Sequence, residues 1–279
     1  VRGADGRLVP VLAGAVPVVG ASGDVLGSAT VIEDITPIKE LERMREEWAS
    51  IVAHDLRQPV TAILLAADRL ARADPPLASS RQADAATRIV SAARRLNVMI
   101  GDLLDASCIE SGRLCIDRSP CSLRRIIGDV VGDLSDASAR CVLALDDAAD
   151  ELLFIDGGRI GQVLANLVGN AVKYGEPRHP ITIAMHDTGD SVEVVVANHG
   201  RALTEDERGR IFDRFARGAE APAGRGLGLG LFICRGLVEG HGGRIWAECH
   251  DEQTFFHFTL PRAAASATAA PSAAAHAAG

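Results

Sequence analysis

The side chains best suited to chemistry are those of His54 and Asp55, which are neighbours in a segment of helical periodicity. Apolar residues recur there at spacings of three and four, which predicts an amphipathic helix. His54 falls about 180° from the apolar stripe, so we expect its imidazole to face solvent. A carboxylate bonded to one ring nitrogen fixes the tautomer and makes the other nitrogen a better nucleophile. Taken alone, such a pair is most often a solvated surface histidine beside an acid, and a nucleophilic histidine is the alternative.

A second group of polar side chains lies on one face of a later predicted helix. Asn166 and Asn170 are four residues apart, so both amides project from the same face, and Lys173 is three residues further on. An amide oxygen is a hard, neutral ligand that suits Mg²⁺, and a lysine meets phosphate groups as a point charge. This face predicts a site for a metal-bound phosphate, although two asparagines on a polar helix surface would show the same spacing.

A glycine-rich run at residues 224–231 alternates glycine with arginine or leucine and leads directly into an apolar helix. Glycines allow backbone amides to close on phosphate groups because no Cβ stands in the way, and the N-terminus of the following helix favours negative charge. The chain contains no G-x-x-x-x-G-K-[ST] sequence, which excludes a P-loop as the phosphate-binding element. Residues 217–224, which are rich in Gly and Ala, are expected to form a mobile lid over this run.

Two predicted helices must position His54. The first covers residues 37–70 and the second residues 79–110, with Asp74-Pro75-Pro76 between them and Gly112 just past the second. Two such helices joined by a short turn form an antiparallel hairpin with an exposed apolar seam. The seam is hidden when two hairpins pair as a four-helix bundle, so the sequence predicts a homodimer.

From about residue 119, helices and strands alternate. The predicted helices are 123–134, 158–173, 204–215 and 229–239, and the predicted strands are 141–145, 152–155, 181–186, 192–197, 243–248 and 254–260. This order predicts an α/β sandwich of mixed sheet with helices on one face.

The two ends of the chain have different patterns. The sequence of residues 1–36 predicts β-hairpins with strands at 8–12 and 25–35. The Ala-rich tail at 263–279 has no amphipathic face and is predicted to be disordered.

Composition excludes some classes of function. A formal net charge of −8 argues against a nucleic-acid-binding protein. The six cysteines form no C-x-x-C pair, which indicates buried thiols in a reducing, cytoplasmic compartment. The longest apolar stretch, residues 9–19, is interrupted by Pro10, Gly14 and Pro17, so no membrane segment is predicted. Because the first residue is Val and no signal peptide is visible, we expect the sequence to be part of a longer one.

The residues around His54 resemble the phospho-acceptor box of the sensor histidine kinases of bacterial two-component systems. The matching stretch, residues 50–60, is Ser-Ile-Val-Ala-His-Asp-Leu-Arg-Gln-Pro-Val. Four further segments resemble the other motifs of that family in the same order: the N box at 162–174, the first glycine box at 194–203, the F box at 210–218 and the second glycine box at 224–231. The resemblance covers residues 37–262. Residues 1–36, ending in Asp34-Ile35-Thr36, resemble the last strands of a PAS sensor domain.

The resemblance implies an α+β fold in two parts, a dimeric helical hairpin at 37–112 and a catalytic ATP-binding α/β sandwich at 113–262. It implies that His54 is the nucleophile, that Asp55 orients its ring and takes its proton, and that ATP with Mg²⁺ on Asn170 is the phosphoryl donor. The receiver domain of a response regulator is the implied partner. The implied ATP-binding residues are Asn166, Asn170, Lys173, Tyr174, Asn198, Gly200, Arg217, Gly224, Gly226, Leu227, Gly228 and Leu229. The two F-box phenylalanines are expected to anchor the lid to the core.

The sequence departs from the family pattern at four positions. Asn198 stands where an Asp usually accepts a hydrogen bond from the adenine amino group, and Ala202 stands where a Gly is usual. An asparagine oxygen also accepts but carries no charge, which predicts retained but weaker ATP binding. Gln58 replaces the Thr or Asn linked to phosphatase activity, and Gln253 replaces a glycine of the final hairpin.

These departures leave a competing function open, because a degenerate nucleotide domain could serve only to dimerise and dock a partner. A third possibility is an ATPase clamp of the same nucleotide-binding fold. An exposed histidine on a helical hairpin argues against the clamp, which does not need one.

Overall fold

The computed structural model describes residues 1, 7–71, 79–134, 139–149, 152–216 and 227–262. These residues form two compact units, one up to Leu96 and one from Asn97 onward. The predicted breaks at 4–6 and 74–76 and the predicted disordered tail at 263–279 lie outside the described residues.

The first unit opens with a β-hairpin, in which β1 (Val11–Val19) pairs antiparallel with β2 (Val25–Asp34). The first strand predicted at 8–12 is wrong, because β1 starts at Val11 and continues across Pro17, which lies opposite Ser28. Both strands of a two-stranded sheet are edge strands, where a proline is tolerated because its nitrogen can face away from the partner. Apart from half-buried Val11, the side chains of both strands are exposed.

Two long helices follow, α1 (Thr36–Ala71) and α2 (Ser79–Glu110), and their bounds confirm the predicted helices. α1 begins beside Asp34, whose Oδ1 accepts hydrogen bonds from the Thr36 N–H at 2.8 Å and the Thr36 hydroxyl at 2.6 Å. α2 ends before Gly112, which has a φ of 64°, the left-handed conformation that commonly terminates a helix at glycine. The Arg113 N–H then donates to the Cys108 carbonyl at 2.8 Å, which satisfies a carbonyl of the last turn.

Both helices leave large apolar side chains exposed to solvent. These are Ile38, Ile51, Val60, Leu64, Leu65 and Val90 in the first unit and Val98, Ile100 and Leu104 in the second. Among the helix residues of the first unit whose burial is described, those that are buried are Asp55, Pro59, Ala66 and Ala85. None of the helices in the described ranges is long and apolar enough to cross a membrane.

The second unit contains a five-stranded mixed sheet in the order β4-β6-β7-β9-β8, in which β4 and β6 run parallel and the other neighbours antiparallel. Its strands are β4 (Cys141–Leu145), β6 (Ile181–Asp187), β7 (Ser191–His199), β8 (Ile245–His250) and β9 (Gln253–Pro261), while β3 (Ser119–Cys121) pairs separately with β5 (Leu153–Ile155). The helices are α3 (Leu123–Gly132), α4 (Gly157–Tyr174), α5 (Glu205–Arg210) and α6 (Gly230–Gly240). The mixed sheet confirms the predicted α/β sandwich, whereas β3 was not predicted.

Helices α4 and α6 pack against each other and against one face of the sheet. Side chains alternate between buried and partly exposed along β7, as expected for a sheet with one covered face. The fully buried side chains at the centre of this core are Ile160, Leu164, Leu167, Ile183, Met185, Val194, Val196, Ile233, Leu237 and Phe258.

The helix predicted at 204–215 is wrong in length, because α5 ends at Arg210. A capping box starts the helix: the Thr204 hydroxyl accepts from the Glu207 N–H at 3.2 Å, and the Glu207 carboxylate accepts from the Thr204 N–H at 3.0 Å. Phe215 has a φ of 62°, so the helix cannot continue to that residue.

The last turns of α2 belong to the second unit because they are bonded to its α/β part. Arg159 Nη1 lies 2.8 Å from Asp105 Oδ1, and the Gln162 amide donates to Asp105 Oδ2 at 2.7 Å. Glu110 forms an ion pair with Arg214. The division between the units therefore falls inside α2, before residue 112, and the predicted domain boundary at 112/113 stays a prediction.

A buried histidine, His241, holds the N-terminus of α4. Its Nδ1 lies 2.7 Å from the Leu237 carbonyl, and its Nε2 accepts the Asp156 N–H at 3.0 Å. Asp156 caps α4 by accepting the Arg159 N–H at 3.1 Å. Burial lowers the pKa of His241, so the ring is neutral, with its proton on Nδ1.

Substitution of His241 by Gln should reduce the free energy of unfolding at pH 7.5 by about 1–3 kcal/mol, because the Leu237 carbonyl and the Asp156 N–H lose well-placed partners. The pKa of His241 is lowered in the folded state. The extra free energy of unfolding of the wild type is therefore fully present above about pH 6.5 and is lost as the pH falls through the folded-state pKa. Urea unfolding from pH 5 to 8 checks the prediction, with exposed His250→Gln as the control. A difference between wild type and His241→Gln that does not change with pH would contradict it.

Candidate active site

His54 and Asp55 lie side by side on α1 but differ sharply in exposure. The His54 side chain is 63% exposed, which confirms the predicted solvent-facing imidazole, while the Asp55 side chain is only 4% exposed. His54 Nδ1 lies 3.2 Å from Asp55 Oδ1. When the carboxylate accepts the Nδ1 proton, the neutral ring keeps its lone pair on Nε2, which is the nitrogen able to attack an electrophile.

Helix α4 carries both asparagines of the predicted phosphate site. Asn166 and Asn170 are half-buried, and the Asn166 amide donates to the Gly230 carbonyl at 3.5 Å. A Cβ at Gly230 would lie 3.5 Å from Asn166 Oδ1. The α4 face and the start of α6 are therefore neighbours, which brings together the N box and the second glycine box.

Lys173 and Tyr174 form the exposed end of α4. The Lys173 ammonium donates to the Tyr174 hydroxyl at 2.8 Å and lies 4.6 Å from the centre of its ring. Tyr174 is 50% exposed, so the cation and the phenol are both held at the surface of this unit.

The end of β7 closes on the end of α4 so tightly that glycine is required. A Cβ at Gly200 would lie 2.8 Å from the Tyr174 carbonyl, and one at Gly175 would lie 2.3 Å from the Ala171 carbonyl and 3.3 Å from the Asn198 Cβ. Sequence reasoning missed Gly175, although a glycine directly after an apolar helix is a recognisable helix-end signal. This close approach sets Asn198 beside the last turn of α4.

Asn198 is buried, with 7% of its surface exposed. Its Nδ2 donates to the His199 carbonyl at 3.3 Å, and the same carbonyl accepts the Glu176 N–H at 2.8 Å. Because the amide nitrogen is used within the protein, Oδ1 is the atom that Asn198 can offer to a ligand, as a hydrogen-bond acceptor.

Described residues on the two sides of the predicted lid, Phe215 and Gly228, are bonded to each other. The Phe215 N–H donates to the Gly228 carbonyl at 3.0 Å. Gly228 has a φ of 68°, and a Cβ there would clash with the Ala216 carbonyl at 2.9 Å. Phe212 is buried and its ring centre lies 6.4 Å from that of Phe256, which confirms the predicted core position for this phenylalanine. The prediction is wrong for Phe215, which is only half-buried. The predicted ATP-binding residues Arg217, Gly224 and Gly226 lie outside the described residues.

Two predicted ATP-binding residues, Leu227 and Leu229, have buried side chains, with 4% and 1% of their surfaces exposed. Their side chains belong to the apolar core, so only their backbone groups remain to meet a nucleotide. Glycine–leucine alternation suits this arrangement, because the leucines fix the loop while the glycines leave its amides accessible.

Comparison with known families now identifies both parts of the chain. Residues 44–112 match the His Kinase A (phospho-acceptor) domain. Residues 155–264 match the histidine kinase-, DNA gyrase B- and HSP90-like ATPase family, which makes the second part an ATP-binding domain. The chain thus carries a phospho-acceptor domain followed by a domain of this ATPase family.

Known proteins with similar sequences are sensor kinases. The adaptive-response sensory kinase SasA of Synechococcus elongatus is 31% identical over 80% of this chain and 61% of its own length. The sensor protein KdpD of Escherichia coli is 33% identical over 80% of this chain and 25% of its own length, and SasA of Crocosphaera subtropica is 28% identical over 87% and 67%. The chain thus spans between a quarter and about two thirds of the lengths of these relatives.

Solved structures show the same fold. Histidine kinase ThkA, in complex with the response regulator protein TrrA, is 26% identical with a TM-score of 0.54, covering 90% of this chain and 74% of that one. Acinetobacter baumannii histidine kinase AdeS, at 17% identity and a TM-score of 0.57, covers 75% of this chain and 98% of that one and supports the fold alone.

Substitution of Asn198 by Ala should raise the dissociation constant for ATP about three- to tenfold, the usual effect of losing one neutral hydrogen bond. The family resemblance assigns the Asn198 position to the adenine amino group, which guanine does not carry there, so the preference for ATP over GTP should also fall. Displacement of a fluorescent ATP analogue measures both quantities, with exposed Asn97→Ala as the matched control. Equal ATP affinity in the Asn198→Ala variant and the control would count against a role for Asn198 in base recognition.

Proposed function

We propose that this chain transfers the γ-phosphoryl group of ATP to His54 and then passes it to an aspartate on the receiver domain of a response regulator. One observation carries the proposal: an imidazole that is 63% exposed sits 3.2 Å from a carboxylate that is 4% exposed. That pair lies within the phospho-acceptor match, and an ATP-binding domain follows it in the chain.

In the proposed reaction, His54 Nε2 attacks the γ-phosphorus of ATP. A nitrogen–phosphorus bond forms while the bond from that phosphorus to the β–γ bridging oxygen breaks, and ADP leaves with the electron pair. Positive charge develops on the ring, and Asp55 offsets it and takes the Nδ1 proton. Because the Asp55 carboxylate is buried, its attraction for the charged ring is screened less than it would be in water.

The proposed nucleotide site combines α4, the end of β7 and the loop before α6. Helix α4 contributes Asn166, Asn170, Lys173 and Tyr174, and the end of β7 contributes Asn198 and Gly200. The loop contributes the backbone of Leu227, Gly228 and Leu229. Further members, proposed from the sequence, are Arg217, Gly224 and Gly226. Mg²⁺ fits the half-buried amide oxygen of Asn170, which is a hard, neutral donor. When bound, Mg²⁺ neutralises charge on the phosphates.

The proposed partner is a response regulator, supported by the ThkA structure that holds TrrA. An exposed His54 is open to a second protein. Gln58, one turn further along α1, is also exposed. Since relatives with phosphatase activity carry Thr or Asn there, the proposal is restricted to phosphorylation and transfer.

A homodimer through the helical hairpin at 37–112 is also proposed. The exposed apolar side chains of α1 and α2 support it, because a hairpin that pairs with a second copy removes them from water.

Residues 1–36 are proposed as the last strands of a PAS-like sensor domain, supported by the exposed apolar side chains of the β1–β2 hairpin. The prediction that the cysteines are buried is wrong for Cys108 and Cys115, which are exposed. A cytoplasmic location is proposed from the cysteine pattern of the sequence, which contains no C-x-x-C pair.

A non-catalytic docking module is the competing function, and the replacements at Asn198 and Ala202 are what favour it. Titration with an ATP analogue separates the two functions. Absence of binding at millimolar nucleotide would favour the docking module.

Incubation of the chain with γ-labelled ATP and Mg²⁺ should produce protein-bound label that is acid-labile and base-stable, and His54→Gln should abolish it. Asp55→Asn should lower the rate by about ten- to a hundredfold, because an amide orients the ring but does not take its proton. His250→Gln, a substitution of an exposed histidine outside the motifs, should label normally. Label that survives in His54→Gln would defeat the assignment.

Leu64→Glu should convert the dimer into a monomer without unfolding it, since Leu64 is 64% exposed and a buried interface does not tolerate an unpaired carboxylate. Light scattering after gel filtration gives the mass, and circular dichroism gives the helical content. Ala62→Glu is the control, because it lies about 160° away around α1. A Leu64→Glu variant with the mass of the wild type would exclude this face from the interface.

A further inference from the structure

Gln253, the first residue of β9, has a side-chain contact that no motif predicts. Its Nε2 lies 2.6 Å from Nε2 of His199, the last residue of β7. The two residues are register partners in the antiparallel β7–β9 pair. A glycine at 253 could not make this contact, so the replacement of glycine noted in the sequence adds a specific interaction.

His199 connects this contact to the proposed base-binding end of the nucleotide site. Its carbonyl accepts hydrogen bonds from Asn198 Nδ2 at 3.3 Å and from the Glu176 N–H at 2.8 Å. Its ring stacks on that of His179, with ring centres 4.2 Å apart and an interplanar angle of 24°. His199 thus bonds to Asn198 through its backbone and is restrained by two side chains through its ring.

The loop that carries Glu176 and His179 is itself held in place. Arg140 Nη2 donates to the Glu176 carbonyl at 2.8 Å and to the His179 carbonyl at 3.2 Å. With the loop restrained, a shift of the His199 ring cannot be absorbed by His179 alone. Removal of the Gln253 amide therefore takes away the contact of the His199 ring on the side of β9.

We propose that Gln253 is a positioning residue for base recognition, acting on Asn198 through His199. The proposal rests on the proposed function, in which Asn198 Oδ1 accepts from the adenine amino group. Asn198 is buried and its nitrogen bonds to the His199 carbonyl, so the direction of Oδ1 depends on where that carbonyl lies. Gln253 restrains His199 and thereby holds Oδ1 towards the base.

The side-chain chemistry identifies an informative replacement. The glutamine amide can donate to an unprotonated ring nitrogen or, when turned over, accept from a ring N–H. A glutamate has the same length and keeps the acceptor, so Gln253→Glu can still bond to His199 when Nε2 carries a proton. Gln253→Gly removes both possibilities.

A double-mutant cycle between Gln253 and Asn198 tests the proposal on the full chain. The measured quantities are the dissociation constant of a non-hydrolysable ATP analogue and the urea midpoint for wild type, Gln253→Gly, Asn198→Ala and the double variant. Gln253→Gly should raise the dissociation constant about three- to tenfold in the wild-type background, and not at all in the Asn198→Ala background. The urea midpoint shows that all four proteins are folded under the conditions of the binding measurement.

Two further variants complete the design. Gln253→Glu should bind more tightly than Gln253→Gly, and His250→Ala, at the register partner of Gln253 in β8, should bind like wild type. Loss of affinity that is equal in both backgrounds, or unchanged affinity in Gln253→Gly, would overturn the proposal while leaving the proposed function intact. Absence of binding in the wild type would overturn both.

Discussion

The hydrogen bond between His54 and Asp55 is the interaction on which the rest of this enzyme depends. The two side chains are adjacent on α1, yet one is open to solvent and the other is buried. Because the Asp55 carboxylate is shielded from water, it attracts the Nδ1 proton of the neighbouring ring strongly. The proton therefore lies on Nδ1, and the reactive lone pair lies on Nε2. In the proposed function, the exposed ring meets an incoming phosphate and then a second protein, and the second unit supplies the ATP.

Delivery of ATP depends on close backbone packing in the second unit. Gly175 and Gly200 allow the ends of α4 and β7 to approach at distances that a Cβ would prevent. Gly228 does the same beside residues 215–216, where a Cβ would lie 2.9 Å from the Ala216 carbonyl. His241 and Asp156 hold the start of α4. The polar groups of the proposed site are thus carried on rigid elements, as phosphoryl transfer requires when it depends mainly on positioning.

Local patterns in the sequence predicted much of this arrangement. Apolar spacing located α1 and α2, and the helical angle alone predicted the exposure of His54. The burial of Asp55 was not predictable in the same way, because it depends on what packs against α1. The contact between Gln253 and His199 joins residues 54 positions apart, so no local pattern contains it. The leucines of the second glycine box were assigned to ATP, yet their side chains fill the core, since motif matching does not distinguish a backbone role from a side-chain role.

The position of the phosphoryl group on the ring tests the central claim most directly. After incubation with ATP and Mg²⁺, mass spectrometry locates the modified peptide, and nuclear magnetic resonance of phosphorus and ring nitrogens identifies the bonded atom. The account predicts phosphohistidine at His54 with the phosphorus on Nε2, because Asp55 occupies Nδ1. A phosphoryl group on Nδ1, or on any residue other than His54, would contradict it.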